Sequence, residues 1–563
     1  MQGQQTAPLA EQTRQSSLTV SFEPFEERAV PGLLRRFVTT SRHLLGLSLG
    51  ALAARLNHGP LSQRRGMAYP MFRILLLFAT YFSNKELLNL RFPVQLRRRL
   101  EMLGPTYIKL GQVLSLREDI LPKAITGELK NLLDRLPVVN FERYQELIVE
   151  GLNRPIHEMF SWISPEPLGS ASIAQIHRAR TLDGEEVILK VVKPGIRKTL
   201  ETDAVLIALL GRVLQLLLPQ FQPRLVLQEF TDYTLREADL RLEADNAETF
   251  AANFNDMDDI LFPRIYRDYS SETVLCMEFF NGVKPDSDAA KTLTKEDREH
   301  LVHRGAAAIV RMLYQDGFFH ADLHPGNLMI LPGNKCGFID LGMVGRFEDG
   351  LRQKMMYYYY SLVIGDAVSA ARYLTTVARP APGGQPRDFQ RAVEDAARRW
   401  HRSANFHDFS IGHLIMNSVT MGAKYRMYFP MEMVLMTKAL VTFEGVGNML
   451  VPGFNVAEVS RKEITKVFFN QFHPLSLLKK GLRESPEILE ALAKTPMLIS
   501  QSLKVLEEVT PQQSHHPLKG LGASIFGGFC LMSGSVMLAV NSTLWIHAAL
   551  LIGMAIVLIS RRD

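Results

Sequence analysis

Between Phe318 and Gly342 the chain carries three side chains whose types suit the movement of a phosphoryl group. Transfer from a nucleotide needs a carboxylate to orient the attacking oxygen. It also needs a second carboxylate and an amide oxygen to hold Mg²⁺ against the phosphates. Asp322, Asn327 and Asp340 supply these groups. Oxygen ligands of this kind suit Mg²⁺, which keeps waters and substrate phosphates in its shell. Two short apolar runs, Leu328 to Leu331 and Cys336 to Ile339, flank Pro332-Gly333-Asn334. That pattern predicts a hairpin, which would set Asn327 and Asp340 at neighbouring strand ends.

The spacing is specific. Asn327 follows Asp322 by five residues, as in the protein-kinase pattern H-R-D-x-x-x-x-N, and Asp340-Leu341-Gly342 stands where D-F-G would. A cation for the phosphates is available upstream. Lys190 lies in the strand-like run Val187 to Val192, which a turn at Asp183-Gly184 joins to an earlier run from Ile173 to His177. The preceding turn, Gly169-Ser170-Ala171-Ser172, could meet the nucleotide, but it is not a G-x-G-x-x-G loop, so the phosphates must be covered differently. Lys190 needs an acid to hold it, and the helical stretch from Leu235 to Asn246 offers Glu237, Asp239 and Glu243. Spacing does not choose among them. Thr273 to Phe279 reads as the strand entering a hinge, where the backbone around Met277 and Glu278 would meet adenine.

These elements imply an α+β, two-lobed protein-kinase-like fold, with an added N-terminal helical segment and a C-terminal transmembrane helical hairpin. Residues 1–66 read as a disordered tail and a basic amphipathic helix, and 67–159 as a helical segment. The small lobe would occupy 160–285, the helical large lobe 286–505, a linker 506–519 and two membrane spans 520–560. The helix from Pro31 to Leu56 would either lie on a membrane or pack on the core. Within the next segment, Pro105 can start a helix that puts Lys109 and Gln112 three apart on one face.

The tail carries the other strong signal. No Asp, Glu, Lys or Arg occurs from Gly520 to Ser560, and Asn541-Ser542-Thr543 divides the stretch into halves. Each half would reach roughly 25 to 30 Å as a helix, enough for a bilayer core. Lys519, Arg561 and Arg562 put both ends on the cytoplasmic face. Gly520, Ser524 and Gly528 form a small-residue stripe that would join either the two spans or two chains as a homodimer. A formal net charge of +6 over 563 residues, without a basic stripe bearing aromatics, argues against nucleic-acid binding. Cys276, Cys336 and Cys530 lack metal-ligand spacing.

Taken together, the sequence resembles the UbiB family of atypical, protein-kinase-like kinases and ATPases linked to ubiquinone biosynthesis. The motifs are Lys109-Leu110-Gly111-Gln112 as K-x-G-Q, Glu237-Ala238-Asp239 as E-x-D, and Lys190, Asp322, Asn327 and Asp340. The resemblance implies ATP and Mg²⁺ between the lobes, with Asn327 and Asp340 on the metal and Asp322 as base or water-orienting group. It also implies that Glu237 partners Lys190, and that the segment with Lys109 and Gln112 regulates access by folding over the site. Gly169 to Ser172 would be the family's alanine-rich nucleotide loop, here with fewer alanines. The implied setting is the bacterial inner membrane, catalytic domain on the cytoplasmic side. Implied partners are membrane lipid, quinone-biosynthesis enzymes or isoprenoid lipid intermediates. A small-molecule or lipid phosphotransferase, or a nucleotide-gated scaffold without catalysis, are the alternatives. The absence of an A-P-E sequence after Gly342 speaks against a docked protein substrate.

Overall fold

The computed structural model describes residues 32–58, 87, 90–117, 121–132, 138–217, 222–402 and 410–471. The expected membrane hairpin at 520–560, its linker and the N-terminal tail lie outside the described residues. Among the described residues, no helix is long and apolar enough to cross a membrane.

The small lobe is an antiparallel sheet whose side-chain alternation decides where its lysine points. Strands β1 (Phe160–Ile163), β2 (Gly169–Ser170), β3 (Ala174–Thr181) and β4 (Glu186–Val192) are followed, after helices, by β6 (Val274–Glu278). The order is β1-β3-β4-β6, with β2 on β3, and Lys190 sits opposite Ile176 and Leu275. The β3–β4 turn falls at Asp183-Gly184 as expected, with Gly184 at φ 87°. Successive strand residues face opposite sides. Val187, Leu189 and Val191 therefore pack on Tyr144 and Ile148 of α5 (Phe141–Leu152). Ile188 and Val192 face the other way, against Leu240 and Ala244. Lys190, between them, is turned to that second side.

Three helices follow in sequence, α6 (Ile196–Leu217), α7 (Pro223–Glu237) and α8 (Leu240–Asn253), of which α6 and α8 cover that side. The break between α7 and α8 is set by Asp239, whose carboxylate accepts from the Arg241 N–H at 3.1 Å and caps α8. Helices α1 (Leu33–His58), α2 (Phe92–Leu103), α3 (Pro105–Ser115) and α4 (Lys123–Leu129) precede the sheet. Pro105 opens α3, and Gly111 lets it approach its neighbours: a Cβ there would come within 2.3 Å of Leu132 and 2.9 Å of Leu100. α1 packs on the core through Arg36, which pairs with Asp203 at 2.6 Å, yet it leaves Leu34, Val38 and Leu45 exposed. Both sequence readings of α1 thus keep a basis.

The large lobe begins with α9 (Lys295–Val310), which widens into a π-helical stretch, Arg311–Asp316, ended by Gly317 at φ 66°. Next come β7 (Phe318–His320), β8 (Leu328–Leu331), β9 (Lys335–Phe338) and β10 (Val344–Arg346). β8 and β9 form the expected hairpin, with the short β5 (Ile260–Leu261) parallel to β9. β7 pairs with β10, so the segments before Asp322 and after Asp340 run side by side. Helices α10 (Asp349–Ile364), α11 (Ala367–Val377), α12 (Pro386–Arg402), α13 (Ile411–Tyr425), α14 (Met431–Leu450) and α15 (Val456–Gln471) complete the lobe. Tyr358 and Tyr359 are buried in its core, as their run of aromatics implies.

Phe250 of α8 is fully buried, with its ring 5.0 Å from Phe262 and 4.5 Å from Phe318, and so ties α8 to the strand entering the catalytic loop. Phe250→Ala should lower the unfolding free energy in urea by about 3 to 5 kcal/mol. A loss below about 1 kcal/mol would contradict this anchoring role.

Candidate active site

The loop from His320 to Asn327 is held by its own side chains bonding its backbone. His320 is buried, and its Nδ1 accepts from the Asp322 N–H at 3.0 Å. Burial keeps this imidazole's pKa below its ordinary value, consistent with a neutral acceptor. Asn327 donates from Nδ2 to the Asp322 carbonyl at 3.0 Å. Its amide nitrogen is thereby committed, and the amide oxygen is the atom left for a cation. The Ile339 N–H donates to the Asn327 carbonyl at 2.9 Å, which draws the β8–β9 hairpin ends together beside Asp340. Asp340 itself adopts φ 56°, a left-handed conformation that side chains other than glycine adopt at a cost. Its loop is secured by Asn246 of α8, which donates to the Leu341 carbonyl at 3.0 Å.

The partner of Lys190 is Glu243, and the expectation that Glu237 takes this place is corrected. Lys190 Nζ lies 2.9 and 2.8 Å from the two Glu243 oxygens and 3.0 Å from Asp340 Oδ1. The reason is the break at Ala238. Glu243 falls on the face of α8 that packs against the Lys190 side of the sheet, whereas Glu237 ends α7 and turns toward α3. There Glu237 accepts from Lys109 Nζ at 2.7 Å. Asp239, the third candidate, caps α8 and is further engaged by the Arg241 guanidinium at 2.7 Å.

One lysine between two carboxylates makes a strongly coupled cluster. Burial works against the Lys190 charge, but Asp340 and Glu243 outweigh it and hold the ammonium above its usual range. Lys190 in turn keeps the Asp340 carboxyl well below the usual carboxylate range. Glu243, nearly closed off from water, is pushed up to about 7 by burial, with the like charge of Asp340 adding to the effect against the pull of Lys190. Lys109 is also raised, because Glu237, Asp340 and Asp322 together overcome its burial. K-x-G-Q and the catalytic loops therefore share one electrostatic site. Gln112 lies a turn along α3, with its carbonyl accepting from Ser115 Oγ at 2.6 Å.

Three features escaped the sequence reading. Lys438 of α14 places Nζ 2.7 Å from Asp322 Oδ1. Tyr233 of α7 buries its hydroxyl without a hydrogen-bond partner, and burial, then Glu237, Asp322, Asp340 and Glu243, drive its pKa well above the ordinary value. Neither residue belongs to a local motif. The third concerns the hinge. The Glu278 N–H donates to the Arg264 carbonyl at 2.8 Å, and its carboxylate receives the Arg264 N–H at 3.2 Å. That donor is spent, so an adenine beside Met277 and Glu278 would have to be read by other backbone groups.

The segment expected to meet the nucleotide is built as a short β-turn at the edge of the sheet. Gly169 and Ser170 pair with Ile176 and Gln175, and the Ala171 N–H donates to Ala174. Lys193, just past β4, donates to the Ala171 carbonyl at 2.7 Å and ties Ala171 and Ser172 to the end of the strand.

Residues 131–374 match the ABC1 atypical kinase-like domain, and residues 400–455 the UbiB helical domain. A probable protein kinase UbiB of Cronobacter sakazakii is 29% identical over 475 residues, covering 81% of this chain and 87% of that protein. One from an Enterobacter species is 27% identical over 533 residues, covering 92% and 95%. A solved Mycobacterium tuberculosis structure, described as an erythromycin complex, is 23% identical with a TM-score of 0.45, covering 65% of this chain and 93% of that one.

Burial pushes the Lys193 ammonium down to about 8. The unfolded chain then binds more protons than the folded one from about pH 8 to the ordinary lysine value, so this residue's contribution makes stability rise with pH across that window and fall as pH drops through about 8. In unfolding measurements from pH 7 to 10, Lys193→Met should remove that rise. An unchanged pH dependence would contradict the burial of a charged Lys193.

Proposed function

We propose, from the premise that this chain belongs to the UbiB family of ABC1 atypical kinase-like proteins, that it binds Mg²⁺-ATP between its lobes and turns over the γ-phosphate in support of ubiquinone biosynthesis. The observation that carries this reading is the convergence of Lys190, Glu243 and Asp340 beside the Asp322–Asn327 loop. The donor set fits the expected group. Asp340 stays ionised, the Asn327 amide oxygen is uncommitted by its nitrogen's bond, and Lys190 is kept cationic.

In this reading Asn327 and Asp340 would hold Mg²⁺, which would neutralise charge on the nucleotide phosphates. Lys190 would pair with the phosphates, with Glu243 fixing its side chain from behind. The turn at Gly169, Ser170, Ala171 and Ser172 would cover the nucleotide from the sheet. Asp322 would accept the proton of the attacking hydroxyl or water. Lys109 and Gln112, on α3 beside Glu237, would restrict what reaches the site. That placement, with the missing A-P-E sequence, favours water, a lipid or a small molecule as acceptor over a protein.

Anchoring to the bacterial inner membrane, with the catalytic domain cytoplasmic, belongs to the same proposal. It is supported by the charge-free stretch from Gly520 to Ser560 and by the exposed apolar residues of α1. Membrane lipid and quinone-biosynthesis enzymes or isoprenoid lipid intermediates would then be its partners.

The test is to reconstitute the chain in liposomes with Mg²⁺ and ATP labelled at the γ-phosphate. Label should leave ATP, and Asp340→Asn should slow its loss by about 100-fold or more. Appearance as free phosphate identifies an ATPase, and appearance on a lipid or small molecule identifies a kinase. Equal turnover by the Asp340→Asn protein would overturn the site.

A further inference from the structure

The segment between Asp322 and Asn327 consists of Leu323, His324, Pro325 and Gly326 and contains no Lys or Arg. The cation nearest the Asp322 carboxylate comes instead from Lys438, in the helical domain, more than a hundred residues later. We propose that Lys438 is a positioning residue of the active site, which fixes one oxygen of Asp322 so that the other is presented to the phosphoryl acceptor. The proposal rests on the functional reading given above.

The geometry divides the carboxylate between two neighbours. Lys438 Nζ lies 2.7 Å from Asp322 Oδ1, while among the described residues Oδ2 has only the His324 ring, with Nε2 at 4.0 Å. The Nδ1 of that ring accepts from the Gly326 N–H at 3.0 Å, which leaves the ring proton on Nε2, and at 4.0 Å this N–H is too far to bond Oδ2. Oδ2 is therefore the oxygen open to an incoming O–H. The acceptor oxygen would bond to the γ-phosphorus as the bond to the β,γ-bridging oxygen breaks. ADP would leave with that electron pair, and the acceptor's proton would pass to Oδ2.

The setting of Lys438 does not explain it as a stabilising pair. The Lys438 and Asp322 side chains are 21% and 24% exposed, and partly exposed ion pairs contribute about 1 kcal/mol or less. Lys438 is also the single basic residue of α14, whose neighbouring Val434, Leu435, Ala439 and Leu440 are buried. An isolated cation on a helix built for packing, aimed at the catalytic carboxylate, is better accounted for by positioning. The Met343 sulfur, 3.9 Å from Nζ, lies just before β10 and limits how the side chain can swing.

The experiment is a double-mutant cycle on γ-phosphate loss from Mg²⁺-ATP, with nucleotide binding and thermal unfolding measured on every variant. Lys438→Met should lower kcat by about 10- to 100-fold with KM for ATP changed by less than about 3-fold. Lys438→Arg should restore most of the rate. In an Asp322→Asn background, Lys438→Met should cost nothing further, because the group it positions is gone. Equal losses in both backgrounds, or unchanged turnover in Lys438→Met while Asp322→Asn is inactive, would overturn the inference and leave the functional reading intact. Full turnover by Asp322→Asn would overturn both.

Discussion

The structure depends on one lysine shared by two acids. Lys190 comes from the central strand of the small lobe, Glu243 from the helix behind it, and Asp340 from the loop leaving the large-lobe hairpin. Three separate parts of the fold meet through a few ångströms of charge-assisted contact. Because Lys190 and Glu243 are buried, removing the lysine leaves two neighbouring carboxylates without their counter-charge, a penalty larger than the net worth of the pair itself. The lobes can thus be held in register by electrostatics where an apolar interface would have no room for a ligand. Within the same cluster, Lys190 holds Asp340 ionised.

Around that cluster the acidic residues have divided labour. Asp239 caps a helix, Glu243 holds Lys190, and Glu237 reaches out to Lys109 of the preceding helical segment. The break that the cap creates makes this division possible, because it points Glu237 and Glu243 to different neighbours although they lie within six residues. The N-terminal helices are consequently part of the active-site wall. Tyr233, with its hydroxyl buried among the same carboxylates, extends that wall along α7.

Features that depend on short-range geometry were legible in the sequence. Asp322, Asn327 and Asp340 follow from spacing and from a hairpin whose turn residues, Gly333 and Asn334, take positive φ values of 77° and 57°. The direction of Lys190 follows from strand alternation once its neighbours are known to be buried. What stayed hidden depends on where helices end and how they cross. Choosing Glu243 over Glu237 required knowing that the chain turns at Ala238, and Lys438 required the packing of a helix far along the chain. The engagement of the Glu278 N–H by the Arg264 carbonyl was hidden for a similar reason, because that pairing has no sequence signature.

The central claim is that Glu243, and not Glu237, is the working partner of Lys190. It is tested most directly by comparing two pairwise cycles in Mg²⁺-ATP affinity, Lys190→Met with Glu243→Gln and Lys190→Met with Glu237→Gln. The account predicts strong coupling in the first cycle, the double variant binding about as poorly as the worse single one, and near-additive losses in the second. Additivity with Glu243 together with strong coupling to Glu237 would contradict it.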